Sequence, residues 1–174
     1  MNTEALIQNL AGRVEQLEEK RPARLKRPVV RFQRLPHGKG LPLPKYQSAR
    51  AAGVDLPAAN FVSVTIMPGK IEVIPNGFNV AIPDGFEGQV RPRSGLARKS
   101  GISIVNAPGT IDSDYRGEIQ TILINLGQEP VTIERGDRIA QMVIAPVVQA
   151  DMTEVDTLDD TERGAKGFGS TGVS

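Results

Sequence analysis

Five stretches carry charged or glycine-rich residues where packing alone would not ask for them. They are Ala52-Gly-Val-Asp-Leu56, Arg91-Pro-Arg-Ser-Gly-Leu-Ala97, Gly109-Thr-Ile-Asp-Ser-Asp-Tyr-Arg-Gly117, Arg135-Gly-Asp-Arg-Ile-Ala-Gln141 and Arg163-Gly-Ala-Lys-Gly-Phe-Gly-Ser-Thr-Gly172. They supply three arginines, Arg93, Arg138 and Arg163, whose planar forks suit phosphate because they donate paired hydrogen bonds and stay charged. Ser94 and Gly95 add a hydroxyl and an open backbone amide where a short helix begins, which favours an anion. Taken alone, Arg93-Ser94-Gly95 reads first as a surface turn with a capping serine. Asp112, between Ile111 and Ser113 at a strand or turn edge, is a candidate general base for a water molecule if partly desolvated. Alone, the Asp112/Asp114 pair also fits solvated turn acids, and Tyr115 fits an ordinary strand aromatic.

Two nucleotide-fold patterns in the last stretch fail on inspection. Gly167-Phe-Gly169-Ser-Thr-Gly172 has GxGxxG spacing, but the two residues after it leave no room for the helix such a loop must open. Gly164 to Gly169 has P-loop spacing, yet Ser170 stands where a lysine is required. What remains is a glycine-rich arm with one aromatic, Phe168, and one arginine, Arg163, suited to folding over a ligand as a lid. The chain has no Cys and a single His, which speaks against disulfides, thiolate metal sites and histidine-rich metal sites. His37, in Leu35-Pro-His-Gly-Lys-Gly, reads as a solvated loop residue.

The elements that must position these groups are strands. Eighteen Gly and thirteen Pro punctuate short Val/Ile-rich runs, and with 4% aromatics and no Trp the core must come from Val, Ile, Leu and Ala. That is how an all-β sandwich or barrel reads. Val62, Val64 and Ile66 alternate with polar residues. Asn76-Gly77 and Asp84-Gly85 place turn chemistry around strands at Ile71 to Ile74 and Phe78 to Ile82. Further runs at 102–105, 119–126, 131–133 and 139–148 bring the expected total to eight to ten strands, the continuously apolar ones buried on both faces. The only helix signal inside this region is Ser94 to Lys99, capped by Ser94 and stopped by Gly101.

Outside that domain, Ile7, Leu10, Val14 and Leu17 are spaced 3, 4, 3, the a/d pattern of two heptads in a short amphipathic helix. Two heptads are marginal alone and need a partner. Lys20, Arg21, Arg24, Lys26, Arg27, Arg31 and Arg34 follow with no acid between them, read as a solvated basic linker. The division is therefore 1–28 for the helix and linker, 29–150 for the β domain, and 151–174 for a mobile, Gly-rich C-terminal arm. A net charge of +1 argues against a global nucleic-acid surface, and no stretch approaches a membrane span or a signal peptide. The expectation is a soluble, cytoplasmic protein.

All five stretches, in this order and spacing, resemble the five motifs of the trimeric dUTPase family, over about residues 29 to 174. The resemblance implies a jelly-roll-like β-sandwich and a Mg²⁺-dependent hydrolase that converts dUTP to dUMP and pyrophosphate, limiting uracil in DNA and supplying dUMP for dTMP synthesis. It implies a homotrimer with shared active sites. Asp112 would activate the water that attacks the α-phosphate, and Tyr115 would pack on the deoxyribose so that a 2′-hydroxyl clashes. Asn106 and the backbone of Gly109, Thr110, Ile111 and Asp112 would read uracil, with Gln120 as a further contact. Arg93, Ser94 and Gly95 of a neighbouring subunit would hold the phosphates, joined by Gln141 and Arg138. From an arm of yet another subunit, Arg163 would clamp the γ-phosphate, Phe168 stack on uracil, and Gly169, Ser170 and Thr171 close over the triphosphate. Asp55 would act on the metal only through water or by ordering the site, so Mg²⁺ has no direct protein ligand and is held by the triphosphate. Two other classes fit the resemblance less well: a dCTP deaminase or bifunctional relative, and a trimeric, nucleotide-gated regulator acting through residues 1–28.

Overall fold

β-Branched residues in short alternating runs bury one face of a sheet with little loss of rotamer freedom, and ten strands form in the computed structural model, which describes residues 27–167. The amphipathic helix around Ile7 to Leu17 and the end of the arm, Phe168, Gly169, Ser170 and Thr171, lie outside the described residues. One four-stranded antiparallel sheet runs β1 (Arg31–Arg34), β4 (Ile71–Ala81), β8 (Glu118–Asn125), β6 (Ile102–Ile104). A second runs β2 (Gly53–Pro57), β10 (Arg138–Pro146), β5 (Phe86–Arg91), β7 (Gly109–Ile111). A two-stranded ribbon pairs β3 (Val64–Ile66) with β9 (Val131–Ile133).

The all-β sandwich expected from the turns and alternation is thus present. Its core holds Leu56, Ile66, Ile74, Ile119, Leu123, Ile139 and Met142, each almost fully buried. At about 1.5–3 kcal/mol for each large apolar side chain removed from water, this aliphatic core stabilises the fold without a tryptophan. Along β8 the inward positions Ile119, Thr121, Leu123 and Asn125 are buried.

Three local expectations are corrected. Asn76-Gly77 makes no hairpin: it lies inside the eleven-residue β4, where Gly77 at φ 80° forms a bulge and the register with β8 shifts between Pro75 and Asn79. The left-handed conformation that suits a tight turn also suits a bulge. Tertiary contacts decide between them, because Asn76 is fully buried, donates to the Pro57 carbonyl (2.7 Å) and accepts from the Thr121 hydroxyl (2.9 Å). Ser94 does not cap its helix; α1 (Ser94–Ser100) begins with it, Arg93 occupies the cap position, and no side-chain cap bond forms. Gly101 does stop the helix, in the left-handed region at φ 69°. Finally, the apolar strands are not buried on both faces within this chain. Ile71 and Val73, opposite Ile124 and Ile122, remain 49% and 51% exposed on the outer face of the first sheet.

Candidate active site

Strand β7 pairs with β5 through Gly109↔Val90, Thr110↔Gln89 and Ile111↔Gly88. Gly88 is needed there, because a Cβ would lie 2.8 Å from the Ile82 side chain and 3.1 Å from the Met142 sulfur. The chain enters β7 through a cis Ala107–Pro108 peptide and leaves it at Asp112, where the Tyr115 amide donates to the Asp112 carbonyl (3.2 Å) and turns the backbone toward β8. A cavity of about 390 Å³ opens beside this turn, the size of a pocket for a small organic ligand.

Asn106, Gly109, Thr110, Ile111, Asp112, Tyr115 and Gln120 all line it. These are the seven that the family resemblance assigns to the base, the sugar and the attacking water, and the fold brings every one to a single concavity. At Gly109 a Cβ would stand 3.1 Å from the Asn106 amide nitrogen, so the glycine lets that carboxamide lie against the backbone. Asp112 is exposed at the cavity mouth, and the partial desolvation expected for it is not supplied by this chain alone. The apolar walls Val73, Val90, Ile104, Ile119 and Ile122, together with Glu118, are additions that the sequence does not announce. The aliphatic ones cannot be told there from core residues.

A second cluster forms where β2, β10 and β5 lie side by side. Register places Asp55, Gln141 and Arg91 opposite one another, so all three project from one face of the sheet. Asp55 accepts from two guanidinium groups at once, Arg93 Nε at 3.1 Å on one oxygen and Arg138 Nη1 at 3.0 Å on the other. Arg93 also donates to the Arg138 carbonyl (2.7 Å), and Gln141 donates to the Pro92 carbonyl (2.9 Å), which ties β10 to the segment leading into α1. The carboxylate is only 14% exposed, against 26% for Arg93 and 53% for Arg138. Two cations therefore share one largely covered anion, and the cluster keeps a net positive charge facing solvent. Ser94 and Gly95 stand beside it at the start of α1, with open space around Gly95.

The first cavity includes none of Arg93, Ser94, Gly95, Arg138 or Gln141 among its walls. Arg163 is exposed and donates to the Lys166 carbonyl within its own segment (3.2 Å). His37 departs from its solvated-loop reading. Its side chain is 22% exposed and its Nε2 lies 2.6 Å from Glu118 Oε1. The cause is the close approach of Gly38 to Gly77, where a Cβ on either residue would collide with the other's backbone. That contact presses the 3₁₀ turn Pro36–Gly38 onto β4. Among the described residues, no group of three or more His, Cys, Asp or Glu side chains is arranged to hold a metal ion, and no helix is long and apolar enough to cross a membrane.

The dUTPase family model matches residues 39–172. A deoxyuridine 5′-triphosphate nucleotidohydrolase of Beijerinckia indica is 58% identical over 147 residues, 83% of this chain and 92% of that protein. The dUTPase of Staphylococcus bacteriophage 80alpha, solved as a point mutant with dUpNHpp, superposes with a TM-score of 0.71 at 28% identity, over 83% of this chain and 99% of that one. A point-mutant dUTPase of phage phi11 of S. aureus, described with a structural Mg(II) ion, shares the fold with a TM-score of 0.67 at 22% identity, over 74% and 97%.

Proposed function

Because the chain belongs to the dUTPase family, we propose that it hydrolyses dUTP to dUMP and pyrophosphate, with the β7 cavity as the deoxyuridine site and the Asp55 cluster as a triphosphate site. The observation that carries the assignment is the gathering of Asn106, Gly109 to Asp112, Tyr115 and Gln120 around one pocket of nucleoside size. Asn106 and the backbone of Gly109 to Asp112 present donors and acceptors to the edge of uracil, Gln120 adds a further contact, and Tyr115 lies against the deoxyribose. Asp112 takes a proton from a water that attacks the α-phosphorus, and the bond to the bridging oxygen breaks to release pyrophosphate. General-base help of this kind contributes about 10²–10⁴-fold.

Mg²⁺ enters as part of the substrate, Mg·dUTP. It prefers oxygen ligands and keeps its waters, while both oxygens of Asp55, the carboxylate nearest the arginines, are already committed to Arg93 and Arg138. Asp55 thus orders the cationic side chains, and Ser94, Gly95 and Gln141 complete the cradle. No covalent intermediate is required, and rate comes from positioning and charge neutralisation.

The working enzyme is a homotrimer in which Arg93, Ser94 and Gly95 of one subunit face the deoxyuridine cavity of the next. Two observations support this: the cavity lacks the arginines among its own walls, and Ile71 and Val73 sit half-exposed on an apolar sheet face. The arm of a further subunit brings Arg163 to the γ-phosphate, Phe168 onto uracil, and Gly169, Ser170 and Thr171 over the triphosphate. Residues 29–150 form the catalytic domain and 151–174 its lid, while 1–28 form a separate appendage.

The test is pyrophosphate release from dUTP, dCTP, dTTP and UTP with Mg²⁺, for the wild type and Asp112→Asn. Turnover restricted to dUTP and lost in the variant is expected. Binding of dUTP without turnover, or release from dCTP as readily, would refute the assignment.

A further inference from the structure

The turn that carries Asp112 and Tyr115 is closed on itself and anchored at one end. Tyr115 donates its hydroxyl to the Glu118 carbonyl (2.8 Å), and its ring lies so close over Gly117 that a Cβ there would collide with the phenol. The Glu118 side chain reaches the other way. Its Oε1 accepts from the bulge amide of Gly77 (2.8 Å) and lies 2.6 Å from His37 Nε2. Since the partner is a carboxylate, that ring nitrogen is the donor. Glu118 is 18% exposed and lines the same cavity as Tyr115.

His37 is itself held from behind. The Arg135 guanidinium donates to the carbonyls of His37 (2.7 Å), Lys39 (2.9 Å) and Ala59 (3.1 Å), so the turn bearing the imidazole is clamped to the sheet by an arginine 98 residues away. The Phe61 ring centroid lies 6.1 Å from the imidazole. A continuous set of contacts therefore runs from Arg135 through His37 and Glu118 to the hydroxyl of Tyr115. None of it is needed to close the strand ladder at Glu118, which pairs with Asn79 through backbone alone.

We infer that His37 and Glu118 are a positioning pair that fixes the Tyr115 ring against the sugar position, making the chain's single histidine a determinant of selection for deoxyribose over ribose. The inference rests on the proposed placing of Tyr115 at the deoxyribose. A phenol anchored at its hydroxyl excludes a 2′-hydroxyl only if the Glu118 backbone that accepts from it cannot recede. One oxygen of the Glu118 carboxylate is held by two donors, the Gly77 amide and the His37 ring, and a loss of position near 1 Å costs up to about 100-fold in such sites.

The experiment measures kcat/KM for Mg·dUTP and Mg·UTP with the full chain, for His37→Ala, His37→Gln, Glu118→Ala and Tyr115→Ala, with urea midpoints alongside. His37→Ala and Glu118→Ala are expected to narrow the dUTP/UTP ratio about tenfold or more, and His37→Gln, which keeps an N–H donor, to restore most of it. An unchanged ratio in both alanine variants while Tyr115→Ala narrows it overturns the inference and leaves the sugar reading standing. An unchanged ratio in Tyr115→Ala removes the sugar reading and the inference together. A second readout covers poorly folding variants. The chain has two tyrosines, so 3-fluorotyrosine labelling of a Tyr46→Phe protein leaves one ¹⁹F signal, from Tyr115. Replacing His37 with Asn, whose shorter amide cannot reach Glu118, should shift and broaden that signal, and an unmoved, sharp signal refutes the pair's role.

Discussion

The cavity beside β7 and the cluster around Asp55 are built from different materials. The cavity is walled by strand backbone, Gly109, aliphatic side chains and a few polar ones set on those strands and their turn, held by strand pairing with β5 and by close contacts at Gly88 and Gly109. The cluster consists of long side chains, Arg93 and Arg138, aligned by one largely covered carboxylate. Recognition of a flat, rigid base needs donors and acceptors that do not move, and backbone supplies them at no extra cost in side-chain entropy. Neutralising a triphosphate needs charge and reach, which flexible guanidiniums provide once an anion limits their rotamers. Damage to the first region should therefore appear in selectivity and fold stability together, and damage to the second in triphosphate handling with the fold intact.

The largest expected effect falls at the mouth of the cavity. Asp112→Asn should lower kcat for dUTP about 10³-fold with KM little changed, as followed by pyrophosphate release. A loss confined to KM would make Asp112 a binding residue and erase the distinction. Next, Asp55→Ala frees both arginines, and kcat/KM for Mg·dUTP should fall about 100-fold with a steeper dependence on salt, while selectivity among bases is retained. A drop in base selectivity would show that the cluster and the cavity are one structural unit.

Smaller effects fall on stability. Gly38→Ala places a methyl against the Gly77 carbonyl, and backbone must shift, which should cost about 2–3 kcal/mol in urea unfolding and lower dUTP turnover with it. Turnover unchanged at equal destabilisation would separate the β4 bulge from the site. The smallest is Thr121→Val, which deprives the buried Asn76 carbonyl oxygen of its donor. About 1–2 kcal/mol should be lost, with kcat/KM for dUTP held within roughly twofold.

Much of this organisation is legible in the residues. The stretch Gly109 to Gly117 stands out because glycines and carboxylates interrupt a Val/Ile background, Asn106 and Gln120 are legible only through the family resemblance, and Gly101 stands out because few residues other than glycine tolerate its left-handed conformation. Asn76-Gly77 misleads because hairpin and bulge ask for the same positive φ, and the choice is made by Pro57 and Thr121, distant in sequence. The His37–Glu118 pair spans 81 residues, and no local spacing announces it. Val90 and Ile104 are invisible as site walls for a different reason: an aliphatic side chain looks the same in sequence whether it faces a core or a ligand.

Strands β4 and β8 serve two surfaces at once. Val73 and Ile122 contribute to the cavity, and with Ile71 and Ile124 they form the half-open apolar face on the outside of the sheet. In the trimer proposed above, the strand pair that shapes the deoxyuridine site also holds the copies together. Specific activity then becomes a function of dilution: below the concentration at which the chains associate, each one keeps a formed pocket but has no neighbour's arginines to complete it. The amount of protein a cell makes would set the fraction that works as well as the number of catalysts.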